Sequence, residues 1–217
     1  MLKIVSVQAW QIQRMKTMHA DLFNHPGNQP ITTFLLKRLY SLKEMKVLAH
    51  QLNKALNERI KLDKFLPESV RDAAELGFQL AFITLYLDEQ LAVYCMQHGH
   101  HELTEEVMRT ASIELNHFKL RRKQLILLTQ LSKVLHTFGK SMLIQTAFKL
   151  AKRTAYRRGF NPLYDYLEEG FYAVKSTPSA AQFFNTFITQ EKVLLMRVNN
   201  GHPTPFQSML KNPAVPV

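Results

Sequence analysis

The sequence predicts an all-α protein, a single-domain helical bundle of about seven helices, on three observations. Glycine is scarce, at 7 of 217 residues. Alternating β-branched stretches are almost absent. Apolar residues instead recur at spacings of three and four, the period of a helix with one covered face. A chain of this length suits one domain. Such a domain buries roughly 70% of the surface its unfolded chain exposes, so it needs no disulfide staple.

Each element has local signals. A first helix is predicted from near Leu2 to Leu22, ended by NHPGNQP (Asn24–Pro30), a stretch dense in turn formers. A second runs from Thr32 or Thr33 to about Asn57. In the LPES segment a Pro and a Ser cap open a third, Ser69 to His98. HGHH turns the chain at Gly99. Thr104, with Glu105 and Glu106, starts a long fourth helix to about His136, and a fifth follows Gly139 to Arg157. GFNP (Gly159–Pro162) stops and restarts the chain for a sixth, to Lys175. STPSAAQ caps a seventh, Ser179 to Asn200, which NNGHPTP ends. Residues 1–206 thus read as one helical domain, and 207–217 as an irregular Pro-rich tail.

Composition narrows the function classes. One cysteine, Cys95, excludes an internal disulfide and fits a reducing compartment. The N-terminal run is broken by Gln8, Gln11 and Gln13, unlike a secretory signal. The most apolar stretch, Leu76 to Leu87, has 12 residues, short of the ~20 that span a bilayer. A cytoplasmic protein without a transmembrane segment is expected. Lys and Arg number 28 against 17 Asp and Glu, a net charge of +11. That excess favours an anionic partner: an acidic protein, another polyanion such as nucleic acid, or anionic lipid.

Several segments in order, FLLKRLY (Phe34–Tyr40), FLP (Phe65–Pro67), LD (Leu87, Asp88), RRKQ (Arg121–Gln124), YLEEGF (Tyr166–Phe171) and QE…RVNNGHPTPF ending at Phe206, carry a likeness. Together they resemble the bacterial FFLEE-motif proteins, from about Ile31 to Phe206. The resemblance implies a helical, cytoplasmic protein and no reaction. The acidic pair of the family motif is Lys37 and Arg38 here, a reversal of sign.

Helical wheels place three acids on apolar faces. Glu191 falls within the stripe Ala180, Phe184, Ile188, Leu195 and Val198. Asp88 falls within the arc of Ala73, Gly77, Ala81, Leu91, Ala92 and Cys95. Glu114 lies at the edge of Leu103, Val107, Ala111, Leu115, Phe118 and Leu125, with His117 beyond it. Buried carboxylates need partners. The expected partners are Arg121, Arg122 and Arg197, because a guanidinium can meet both carboxylate oxygens. The alternative is an iron or manganese centre using Glu114, His117, Asp88 and Glu191. Helical di-iron sites, however, need two Glu-x-x-His copies, and this chain has one. His98, His100 and His101 lie in a turn and read as solvated; Cys95 reads as an inert core thiol. No cofactor motif is present.

Nine basic residues fall in FKLRRK and FKLAKRTAYRRGF. Lys149, Lys152 and Arg153, with Lys140, are expected to share the outer side of the fifth helix, and Leu143, Ala147, Leu150, Ala151 and Thr154 the inner side. Arg157 and Arg158 at its end favour the helix dipole. Lys149, Lys152, Arg153, Arg157 and Arg158 form the candidate anion-binding surface. No module for sequence-specific nucleic-acid reading is recognisable. The leading expectation is a non-enzymatic interaction module contacting an acidic partner. The rivals are a metal-dependent oxidase of di-iron or manganese type, and nonspecific nucleic-acid or anionic-membrane binding. Nothing in the pattern fixes a homo-oligomer.

Overall fold

The computed structural model describes residues 4–57 and 68–207. Among these residues there are ten α-helices and no strand: α1 (Ile4–Met18), α2 (Ala20–Asn24), α3 (Gln29–Phe34), α4 (Leu42–Asn57), α5 (Glu68–Gln97), α6 (Glu105–Glu114), α7 (Phe118–Lys140), α8 (Met142–Arg157), α9 (Asn161–Lys175) and α10 (Ala180–Asn199). The protein is an all-α bundle. The start of the first predicted helix, the FLP segment with Pro67, and the tail beyond Gln207 lie outside the described residues. Because α5 already begins at Glu68, Ser69 sits in its first turn rather than capping it. Thr104 does cap α6, accepting from the Val107 amide at 3.2 Å.

Three of the predicted helices are each divided in two, which turns an expected seven into ten. At His19 the backbone departs to φ −109° and ψ 28°. The ladder still crosses this point, since the His19 amide reaches the Met15 carbonyl at 2.9 Å, so the axis bends rather than ends. After α3 the stretch Leu35–Leu39 winds as a π turn, and the Tyr40 amide donates to the Leu35 carbonyl at 3.0 Å. Such a turn holds one residue more than an α-helix and rotates all that follows. Between α6 and α7, Asn116 takes φ 47°. Asn tolerates that left-handed conformation better than most residues, so SIELNHF breaks without a Gly or Pro.

α7 lies at the centre, with α5 against one side and α10 against another; α1 packs on α5, and α3 and α4 pack on α9. The larger core cluster is aromatic: Phe138 stacks on Phe171 with ring centroids 3.5 Å apart, and Phe148 on Tyr164 at 4.4 Å. A smaller cluster, Val7, Leu91, Tyr94, Cys95, Met108 and Ala111, joins α1, the end of α5, and α6. Leu87 belongs to the first cluster and Leu91 to the second. Asp88 lies between them.

The FLLKRLY and YLEEGF segments pack on each other. The Phe34 ring lies 5.4 Å from Tyr166, and a Cβ on Gly170 would come within 2.9 Å of it. Glycine is what permits that approach. Arg38 ion-pairs with Glu169 at 2.7 Å and with Glu44 at 2.8 Å, so its sign is answered by acids across the contact.

The expected wheel for α8 is wrongly oriented. Leu143 and Leu150, placed inside, are 80% and 76% exposed, while Phe148, Ala151 and Ala155 face the core. The true inward arc runs through the small residues and the one aromatic, which fit against α9 where leucines would not. Among the described residues, no helix is long and apolar enough to cross a membrane.

The break at Asn116 gives a stability prediction. Asn116→Val should lower the unfolding free energy by about 1–2 kcal/mol through left-handed strain on a β-branched residue. Asn116→Gly should change it little. Chemical denaturation of the two variants checks this.

Candidate functional site

Where the two clusters meet, the helices do not close on one another. α1, α5, the α6–α7 turn and α10 leave a cavity of about 390 Å³. Its apolar wall includes Met15, Leu80, Leu87, Leu91, Leu128 and Phe187, and its polar wall Arg14, Tyr40, Thr84, Asn116, His117, Arg121, Gln124 and Glu191. The π turn brings Tyr40 to this wall, and the α6–α7 break contributes Asn116 and His117.

The two arginines differ in how far they are used. Arg14 grips Glu191 with two parallel bonds, 2.6 and 3.1 Å, and its Nε donates to Gln11 at 2.9 Å. His19 adds a contact to Glu191 at 2.7 Å and one to Gln190 at 2.6 Å. Burial pushes the Glu191 carboxyl up, but the Arg14 charge and the bonds from His19 and Arg14 outweigh it and hold the group down at about 2. Arg121 has no such match. Its guanidinium donates to Gln124 at 3.4 Å, and no carboxylate lies within salt-bridge distance of it among the described residues. The Gln124 amide donates to Thr84 Oγ1 at 2.6 Å, and that hydroxyl donates to the Leu80 carbonyl at 2.8 Å. The relay fixes Gln124 and leaves most of the Arg121 donors facing the cavity.

Asp88 sits behind the wall with no exposed surface. Tyr40 donates to its Oδ2 at 2.6 Å, while Oδ1 has no hydrogen-bond partner. Burial raises the Asp88 carboxyl above its ordinary range, against the nearby Arg121 and Arg14 charges and the Tyr40 bond. It raises the Tyr40 phenol as well, with Asp88 adding to the effect. His117 is lowered, first by burial and then by Arg121. A buried acid with a bare oxygen beside a guanidinium without a carboxylate is an arrangement that weakens a fold and marks a site.

The sequence-level network is therefore redrawn. Glu191 meets an arginine, but it is Arg14, not Arg121, Arg122 or Arg197. Arg122 is exposed, and Arg197 donates to the Gln207 carbonyl at 3.2 Å. Glu114 is not inward: it is exposed at the end of α6 and accepts from Tyr94 at 2.7 Å. The break at Asn116 puts Glu114 and His117 on separate helices, so their three-residue spacing no longer makes one face. Glu114, His117, Asp88 and Glu191 do not converge, and no group of three or more potential ligands gathers among the described residues. Lys149, Arg153 and Arg157 are exposed on α8, as is Arg158, whose carbonyl accepts from Lys54 at 2.9 Å. Lys152 is held by Glu168 at 2.8 Å. Sequence reasoning missed Arg14, His19, Tyr40, Thr84 and Gln124. Only Arg14 leaves a trace, three residues after Gln11 on a mostly apolar helix.

Fold and site together define a helical-bundle protein with an internal, partly charged cavity. The chain belongs to a family described as a domain of unknown function (DUF8198), whose model matches residues 2–205. No curated protein and no solved structure matched the chain.

Two acids on opposite sides of their ordinary titration give opposite predictions. Glu191 is held below its ordinary value of 4.5, so its stabilisation is complete above that value and is lost as pH falls toward 2. Arg14→Leu should remove about 3–5 kcal/mol at neutral pH and flatten that acid limb in urea titrations. Asp88 is raised, so its ionised form weakens the folded state above its ordinary value of 3.8. Asp88→Asn should be more stable than the parent at neutral pH, with the gap closing in acid. Paired melts across pH check the sign.

Proposed function

We propose that the protein binds a small amphipathic carboxylate inside the bundle, its headgroup on Arg121 and its apolar body along the leucines of α5 and α7. The observation that carries this reading is the Arg121 guanidinium, which stands on a cavity wall without a carboxylate partner. At about 390 Å³ the space falls at the lower end of the roughly 300–1,000 Å³ of small-molecule sites. Mostly apolar walls with a few convergent polar groups are also usual for such sites. Arg14 is already consumed by Glu191, so one monoanionic headgroup fits the charge on offer. Asn116 supports the reading as well, since left-handed backbone at a non-glycine residue tends to collect at ligand sites. We place the protein in the cytoplasm on composition, its single cysteine being buried with a thiol that burial pushes up.

Calorimetric titration with a series of straight-chain and aromatic monocarboxylates, beside the matching alcohols, tests the proposal. Carboxylates should bind and raise the melting temperature, and alcohols of equal length should not. Arg121→Gln should weaken binding by roughly tenfold or more, the worth of a charge-assisted bond, with the fold intact. Absence of carboxylate binding, or binding that Arg121→Gln leaves unchanged, would overturn it.

A further inference from the structure

The outer face of α8 combines features that a merely solvated helix does not need. Met142, Leu143 and Leu150 are 83%, 80% and 76% exposed. Lys149, Arg153 and Arg157 are exposed around them, and none has a polar partner among the described residues. At 100° per residue, Met142, Leu143, Thr146, Lys149, Leu150, Arg153 and Arg157 fall in one arc. α8 contains no acid at all. The acids nearest to it are on the antiparallel α9, where Glu168 is held by Lys152 and Asp165 accepts from Tyr156, at the seam between the helices. Tyr172 of α9 is a further exposed ring, at 69%.

We infer that this face of α8 docks on an anionic lipid bilayer. The inference does not depend on the cavity or its ligand. Cations unmatched within the protein supply attraction to anionic headgroups. The leucines and methionine can then enter the headgroup–acyl boundary, as apolar faces of in-plane amphipathic helices do. A bilayer suits this convex ridge better than a folded partner, because protruding apolar side chains enter lipid without a matching socket. Nucleic acid would use the cations and leave three large apolar groups in water.

The test uses the full chain with phosphatidylglycerol–phosphatidylcholine vesicles and with pure phosphatidylcholine vesicles, in flotation assays. The protein should float with the first and not with the second, and added salt should release it. Lys149→Glu with Arg153→Glu and Arg157→Glu should weaken binding by roughly tenfold or more. Leu143→Ser with Leu150→Ser should weaken it comparably with every charge kept. A Met142→Trp variant should show an emission shift to the blue on adding the anionic vesicles, beyond that of the parent. Circular dichroism should be unchanged throughout, these positions being exposed. The inference is overturned if the folded parent ignores phosphatidylglycerol, or if the serine pair binds as the parent does while DNA competes. It is also overturned if sedimentation finds a dimer that the serine pair dissolves.

Discussion

The bundle depends on a charge cluster that it could not leave half-built. Glu191 projects from α10 toward the interior, where an isolated carboxylate would take up a proton or unfold its surroundings. Arg14 meets it with both arms of its guanidinium, and Gln11 satisfies the nitrogen left over. His19 reaches the same oxygen from the bend between α1 and α2. One acid therefore ties three segments together and explains why the first helix bends where it does. The cavity exists because these polar groups hold α1 and α10 at a separation that leucines would have closed.

Against that satisfied cluster, the polar groups on the other side of the cavity are underused. Asp88 has one oxygen bonded and one bare, and Arg121 leans on a single glutamine. Proteins purge such arrangements when they have no use for them, since each lowers stability with nothing in return. The satisfied side is scaffold and the unsatisfied side is where a ligand's atoms would be welcome. The same contrast recurs on the surface, where Lys152 is paired across to α9 while Lys149, Arg153 and Arg157 are not.

The helical class was legible because period and composition are local. So was the anomaly of Asp88 and Glu191, since a wheel needs only its own helix to show that an acid is on the wrong face. What a wheel cannot supply is the partner: Arg14 is 177 residues from Glu191, and no local rule joins them. The breaks at His19, Tyr40 and Asn116 were also hidden, because none is marked by glycine or proline. Glu114 shows the consequence. With α6 and α7 read as one helix, it pointed at the core; with the turn at Asn116, it points at water. On α8 the error was one of size, since leucines were assumed to face in where Phe148 and two alanines do so.

The π turn at Leu35–Leu39 carries a consequence for how this family varies in length. It is a helix with one residue too many, and excising that residue would let α3 run on into α4 as a single rod. Everything downstream would then be turned by about 100°, and the Tyr40 hydroxyl would swing away from α5. Asp88 would be left with neither oxygen bonded, in a place where no water-facing rotamer is open to it. The surplus residue and the acid should therefore be inherited as a pair: a relative that has lost one by deletion will have exchanged the other for something apolar.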